Sequence, residues 1–273
     1  MTPTAAEIGI RQLYHYEPFE SKYLEDALTR NRVHFSNPEN FNDPWDSYPW
    51  FDPVGVKDPT CRARWVQFFE PLFQTLPADL RDAAPQAGWP QNSELLIKAI
   101  EKTTASTRKI IAERWRIYCL TPHPDSPLMW SHYADKHNGI CLEFDARDEV
   151  IGRAFQVVYS DAVPVLDGHS LTESEEIADK ILLSKSSEWS CENEYRILAR
   201  DSQADSEQLK VLKITDNDFL TLPSGALTAI VAGCRADLHR IKALVQKFAP
   251  NLNIKRAVRS PDRYKIYVED YFD

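Results

Sequence analysis

The stretch from Pro127 to Asp145, PLMWSHYADKHNGICLEFD, constrains the fold more than any other, because it asks for a short helix that runs straight into a strand. Ser126 is of the type that caps a helix N-terminus, Pro127 suits the first helical position, and Gly139 supplies a left-handed residue to stop the helix. At 100° per residue, Met129, Trp130, Tyr133, Ala134 and His137 fall on one face, with His132 at its margin. Ile140, Leu142 and Phe144 then alternate with Cys141 and Glu143, the pattern of a half-buried strand. Two large aromatics and two imidazoles therefore meet over a short distance. They form either a packed core with histidines at its rim or the wall of a polar site.

A second stretch favours the polar site. In Trp189-Ser190-Cys191-Glu192-Asn193-Glu194-Tyr195-Arg196-Ile197-Leu198, a strand would set Glu192, Glu194 and Arg196 on one side, with neighbours on that face roughly 6.6 Å apart. Two carboxylates that close raise the proton affinity of at least one, and Arg196 opposes the effect. Such a row can orient a ribose hydroxyl or act in acid/base chemistry, and it can equally be a solvated outer face.

The rest of the chain supplies alternating strands and helices. Gln12 to Tyr16 reads as a strand with Tyr14 and Tyr16 on one face and Leu13 and His15 on the other. Ser21 caps a helix through Leu24, Ala27 and Leu28, and Arg32 to Ser36 returns as a strand. The loop Asn37-Pro38-Glu39-Asn40-Phe41-Asn42-Asp43-Pro44-Trp45-Asp46 is dense in turn residues yet carries two aromatics, so it folds back on its domain. Asn42, Asp43 and Asp46 then face whatever it covers, or serve local turns. Trp65, Phe68, Phe69, Leu72, Phe73 and Leu76 form a helical stripe that Pro71 should bend or break, and Ser93 opens another helix to about Arg114. Residues 60–114 thus read as a helical insertion or cap between two strands of one sheet, which either covers the cleft or binds a protein partner. Strands follow at Trp115 to Leu120 and Phe155 to Tyr159, and a capping box at Thr172 to Glu175 opens a helix through Ile181 and Leu182. Further strands fall near Leu209 to Ile214, Leu227 to Ala232, Ile254 to Val258 and Tyr264 to Val268, with a helix from Ala236 to Phe248. The pattern predicts one α+β domain over residues 1–273, with a mixed β-sheet core.

Composition narrows the function classes. The 273 residues are 43% hydrophobic and 11% aromatic, with no apolar run of membrane-spanning length and no signal-peptide layout, so a cytoplasmic globular protein without membrane contact is expected. The five cysteines are scattered, with no Cys-x-x-Cys. A formal charge of −9 argues against general coating of nucleic acid. The segment from Cys234 onward nevertheless holds nine Lys or Arg against five Asp or Glu, a basic region that suits an acidic partner, RNA or DNA, or a solvated helix and strand edge. With eight glycines there is no dinucleotide or phosphate-loop fingerprint. His132 and His137, five apart, diverge on a helix and would not share a metal, so no metal site is expected.

Three motifs in order, FNDPWD, then MWSHYADKHNGICLEF, then Lys185 and Trp189 ahead of ENEYRIL, resemble the bacterial domain-of-unknown-function family 2971, whose members suggest a toxin or anti-phage effector by association. More distantly, ENEYRIL resembles the Glu-x-Glu strand of ADP-ribosyltransferases, which bind NAD on a split sheet without a dinucleotide-binding loop. That resemblance implies NAD as substrate and a protein or nucleic-acid acceptor. It also implies that Tyr14, His15, Tyr16 and Ser36 hold the nicotinamide and ribose, although Ser36-Asn37-Pro38 departs from the family's Ser-Thr-Ser and the first strand lacks a central Arg. Glu194 would hold the nicotinamide ribose and favour an oxocarbenium-like transition state, with Glu192 nearer the acceptor. Asn42, Asp43, Trp130, Tyr133 and Arg196 complete the expected binding residues, with His132 as a further catalytic candidate. Two alternatives stand beside this reading. One is a metal-independent ribonuclease or nucleic-acid effector using His132 or His137, and the other is a non-catalytic partner-binding module.

Overall fold

The computed structural model describes residues 2–74, 93–167, 178–200, 211–214 and 217–271. The capping box at Thr172 to Glu175, together with Leu76 and Leu209, lies outside the described residues. The fold is α+β with mixed sheets, and the chain divides into two compact units, residues 38–114 with 158–187, and residues 2–37 with 115–157 and 188–273.

The second unit holds the main sheets. A five-stranded sheet runs in the order Gln12–Glu17, Ile140–Asp145, Leu227–Ala232, Asn253–Arg259, Ile266–Asp270, antiparallel except where Leu227–Ala232 meets Asn253–Arg259. A second sheet places Tyr195–Arg200 between Trp115–Leu120 and Leu212–Lys213, with Phe155–Gln156 pairing on it as well. Single bridges join Tyr14 to Thr121 and Ser36 to Ile117. Between the sheets lies a core of Leu13, Leu142, Phe144 and Ile230 with Tyr118, Leu120, Tyr195 and Ile197. The Leu24–Arg30 helix adds Leu24 and Leu28 to it, and the Leu238–Phe248 helix, capped by the Asp237 carboxylate, adds Ile241 and Val245. The other face of the five-stranded sheet presents Tyr14, Tyr16, Cys141 and Val231 to Trp130 and Ala134.

Several local expectations change. The Pro127–Tyr133 helix stops at Ala134 (φ −114°, ψ 51°), and Asp135, Lys136 and His137 all take positive φ. His137 is therefore not on the helix face. Gly139 is not left-handed either; it is needed for closeness, since a Cβ there would lie 2.5 Å from the Glu17 carbonyl oxygen and 2.8 Å from the Ala134 carbonyl carbon. Ile140–Asp145 is buried from Ile140 through Phe144, not on alternate residues, because the sheet is covered on both faces. Ser21 does not cap the first helix: Tyr23 takes that position, and the Ser21 hydroxyl accepts from the Tyr23 amide.

The first unit contains the Pro59–Gln74 and Ser93–Arg114 helices and two short parallel pairs, Trp50–Phe51 with Val165–Leu166 and Val158–Ser160 with Ser184–Ser186. The helix continues through Pro71 to Gln74. The start of the aromatic stripe is packed: Trp65, fully buried, stacks on Phe69 at 5.6 Å and meets Phe51 edge-on at 5.5 Å. Among the described residues no helix is long and apolar enough to cross a membrane.

Candidate functional site

The helix that opens the sequence argument also organises the site. The Ser126 hydroxyl accepts from the Met129 amide, fixing the first turn. Trp130, fully buried, donates its indole N–H to the Pro124 carbonyl at 2.8 Å. The Tyr16 ring stands edge-on to it at 4.9 Å, and the Tyr16 hydroxyl donates to the His123 carbonyl at 2.6 Å. One helical step further, the Tyr133 hydroxyl donates to Glu192 Oε1 at 2.6 Å. His132 is exposed, with its ring 6.2 Å from that of Trp189.

Glu192 and Glu194 do not lie on a strand. Ser187–Glu192 is a 3-10 turn, Asn193 is left-handed at φ 43°, and the strand begins at Tyr195. The two carboxylates therefore do not share a strand face. The Glu192 carbonyl accepts from the Thr121 hydroxyl at 2.7 Å, which ties the turn to the neighbouring strand. Glu194 receives both Nε and Nη2 of Arg196, at 2.8 and 3.0 Å, with the Arg196 side chain wholly buried. Such a two-pronged, desolvated pair fixes geometry, and removing one member strands the other charge. Asn193 donates its amide to His123 Nε2 at 3.1 Å, which makes Nε2 the acceptor nitrogen.

The Gln12–Glu17 strand splits the expected binding residues. Tyr14 and Tyr16 face the Trp130 side, whereas His15 turns to the opposite side and stacks on Tyr118 at 4.4 Å. The Cys119 carbonyl, 2.8 Å from Nδ1, can only accept, so Nδ1 carries the proton. Burial lowers the His15 pKa, with the Cys119 bond acting the other way. Burial, then the charge of Glu143, raise the pKa of the Tyr14 phenol. Ser36 pairs through its backbone with Ile117, at 2.8 and 2.9 Å. Asn42 and Asp43 belong to the first unit, where Asn42 is exposed and Asp43 buried.

The fold also shows groups that sequence reasoning passed over. A groove of about 740 Å³ is lined by Tyr14, His123, Asp125, Glu143 and Lys255 together with the Ile266–Asp270 strand. Glu143, at 3% exposure, accepts from Gln12, Thr228 and Lys255, the last at 2.7 Å. In sequence, Glu143 looked like the wet side of an alternating strand and Lys255 like part of a basic tail. The one signal was a lone carboxylate inside ICLEF. Tyr16, His123 and Asn193, with Glu192 next to Asn193 and bonded by Tyr133, thus form a run of polar contacts, with a groove of ligand size beside Tyr14 and His123. Among the described residues no group of three His, Cys, Asp or Glu side chains is placed to hold a metal ion.

No curated protein and no solved structure matches the chain. The model of the family described as Protein of unknown function (DUF2971) matches residues 129–197, the stretch that carries Trp130, Tyr133, Glu192, Glu194 and Arg196, and supports the family resemblance over that stretch, with the FNDPWD motif outside it.

Proposed function

We propose that the protein is an NAD-consuming ADP-ribosyltransferase-like effector acting on a protein or nucleic-acid acceptor. The observation that carries the reading is the Glu192-Asn193-Glu194 turn: two buried carboxylates, one bonded by the Tyr133 hydroxyl and the other clamped by Arg196. Fixed negative groups of this kind need no reorganisation when positive charge develops on a ribosyl carbon. Glu194 is assigned to the ribose and Glu192 to the acceptor side, while the groove beside Tyr14 and His123 has the volume for a nucleoside-sized ligand. The arrangement of two sheets bridged at Tyr14 and Thr121 supports the same reading.

The test measures nicotinamide release from NAD by the wild-type chain, Glu194→Gln and Glu192→Gln. Glu194→Gln is expected to lower release by about a hundredfold or more. It also removes the charge that pairs with buried Arg196, so rates are compared where circular dichroism shows the variant folded. Glu192→Gln retains an oxygen for Tyr133 and should keep the melting temperature while reducing acceptor labelling. Unchanged nicotinamide release by folded Glu194→Gln would overturn the reading, as would a wild-type chain that neither binds nor cleaves NAD.

A further inference from the structure

We propose that the FNDPWD loop builds a small binding site for an amine cation, with the Asp43 carboxylate as its counter-charge. The site lies wholly within the unit of residues 38–114 and 158–187 and does not depend on the transferase reading.

The acidic residues of this loop are buried while Trp45 between them is 65% exposed. Asp43 and Asp46 are 5% and 8% exposed, although a short polar loop of this composition would ordinarily be wet. Asp46 has a counter-charge, Lys185 Nζ at 3.7 Å, with both side chains almost fully enclosed. Asp43 Oδ1 accepts from the Trp45 amide at 3.0 Å, the usual local turn. Among the described residues Asp43 Oδ2 is enclosed and has no hydrogen-bond partner. Arg108 lies nearby but sets its guanidinium over the Tyr48 ring, 5.2 Å from the centroid. A carboxylate oxygen withdrawn from water without a donor is strongly unfavourable, so the arrangement calls for an incoming donor that also brings charge.

The surroundings narrow what that donor is. Asp43 lines a cavity of about 60 Å³ with Glu39, Phe41, Asp46, Ser47, Tyr48, Arg108, Ile111 and Ala112, room for a group of a few heavy atoms and no larger. With Asp46 already offset by Lys185, the remaining carboxylates Glu39 and Asp43 outweigh Arg108 by one charge, which biases the cavity toward cations. A water would supply a hydrogen bond but no charge, whereas a primary ammonium supplies both. A hard metal ion would want more oxygen and carboxylate ligands than one unpartnered oxygen offers. The ligand class is therefore a small primary amine, or the ammonium end of a longer one that enters from outside.

The experiment uses methylammonium chloride as probe, with tetramethylammonium chloride at equal ionic strength as the control that has the charge but no N–H donor. Methylammonium should raise the melting temperature of the wild-type chain saturably, by about 5 °C or more at a hundredfold excess over Kd. Tetramethylammonium should not. Asp43→Asn, which keeps the shape and the Trp45 bond but loses the charge, should abolish the shift, and Ala112→Leu, which fills the cavity without touching Asp43, should do the same. An equal shift from both salts, no shift in the wild type, or a full shift retained in either folded variant would overturn the proposal. Failure here leaves nicotinamide release untouched, and failure of nicotinamide release leaves this shift in place.

Discussion

Glu17 ends the first strand with its carboxyl buried at 8% exposure, and burial pushes its pKa up to about 7 from 4.5, against a bond with the Ser21 side chain that pulls it down. A raised acid pKa means that the folded state prefers the proton. Stability from this group is therefore fully present below the unfolded value of 4.5 and is lost as pH rises toward 7. The difference amounts to about 3 kcal/mol. Glu17→Gln should remove the dependence: more stable than wild type at pH 8 and close to it at pH 4.5, as read by denaturant unfolding at the two values. A variant with the wild-type pH slope would show that another group carries it. The histidines bias the molecule the other way. His15, His34 and His137 all have pKa values lowered chiefly by burial, so their contribution is lost as pH falls through the His range.

At the scale of elements, the link between the Pro127–Tyr133 helix and the Ile140–Asp145 strand is a tight junction in the second unit. The chain leaves the helix at Ala134, passes three positive-φ residues and returns Gly139 N–H to the Ala134 carbonyl at 2.8 Å. Gly139 then lies so close to Glu17 that a methyl group meets backbone on two sides. Gly139→Ala should cost about 2–3 kcal/mol, because backbone atoms paired in a sheet cannot step aside as a side-chain tip would. Gly225 is the useful contrast: at φ +90° with nothing within 4 Å of a built Cβ, its replacement by Ala should cost only about 1 kcal/mol, from backbone conformation alone. Equal losses in the two variants, measured by urea denaturation, would mean that packing at Gly139 is not what matters. The same junction explains why a helix expected to reach His137 stops early: the strand must begin opposite Glu17, with Ile140 as its partner.

At the scale of the whole molecule, the second unit is assembled from three separated lengths of chain. Ser36 and Ile117 exchange both backbone hydrogen bonds, so the two ends flanking residues 38–114 lie side by side. Joining them with a short Gly-Ser turn should leave the five-stranded sheet folded, checked by hydrogen exchange of the Gln12–Glu17 and Ile140–Asp145 amides. Loss of protection there would make residues 38–114 part of that unit's folding core. Sequence by itself determined what depends on neighbours a few residues apart: the Ser126 cap, the Trp130 and Tyr133 face, the Trp65 and Phe69 stripe, and most strands, because side-chain periodicity and capping are local. Tertiary structure decided everything that joins distant residues. Tyr133 meets Glu192 across 59 positions and Lys255 meets Glu143 across 112, distances over which no periodicity carries information. It also decided which way a legible residue faces, as His15 turns into the core between Tyr14 and Tyr16. Asn193 gives the same lesson at the site: its left-handed backbone ends the expected strand, because the turn is held by Thr121 and His123 from a neighbouring segment rather than by its own sequence.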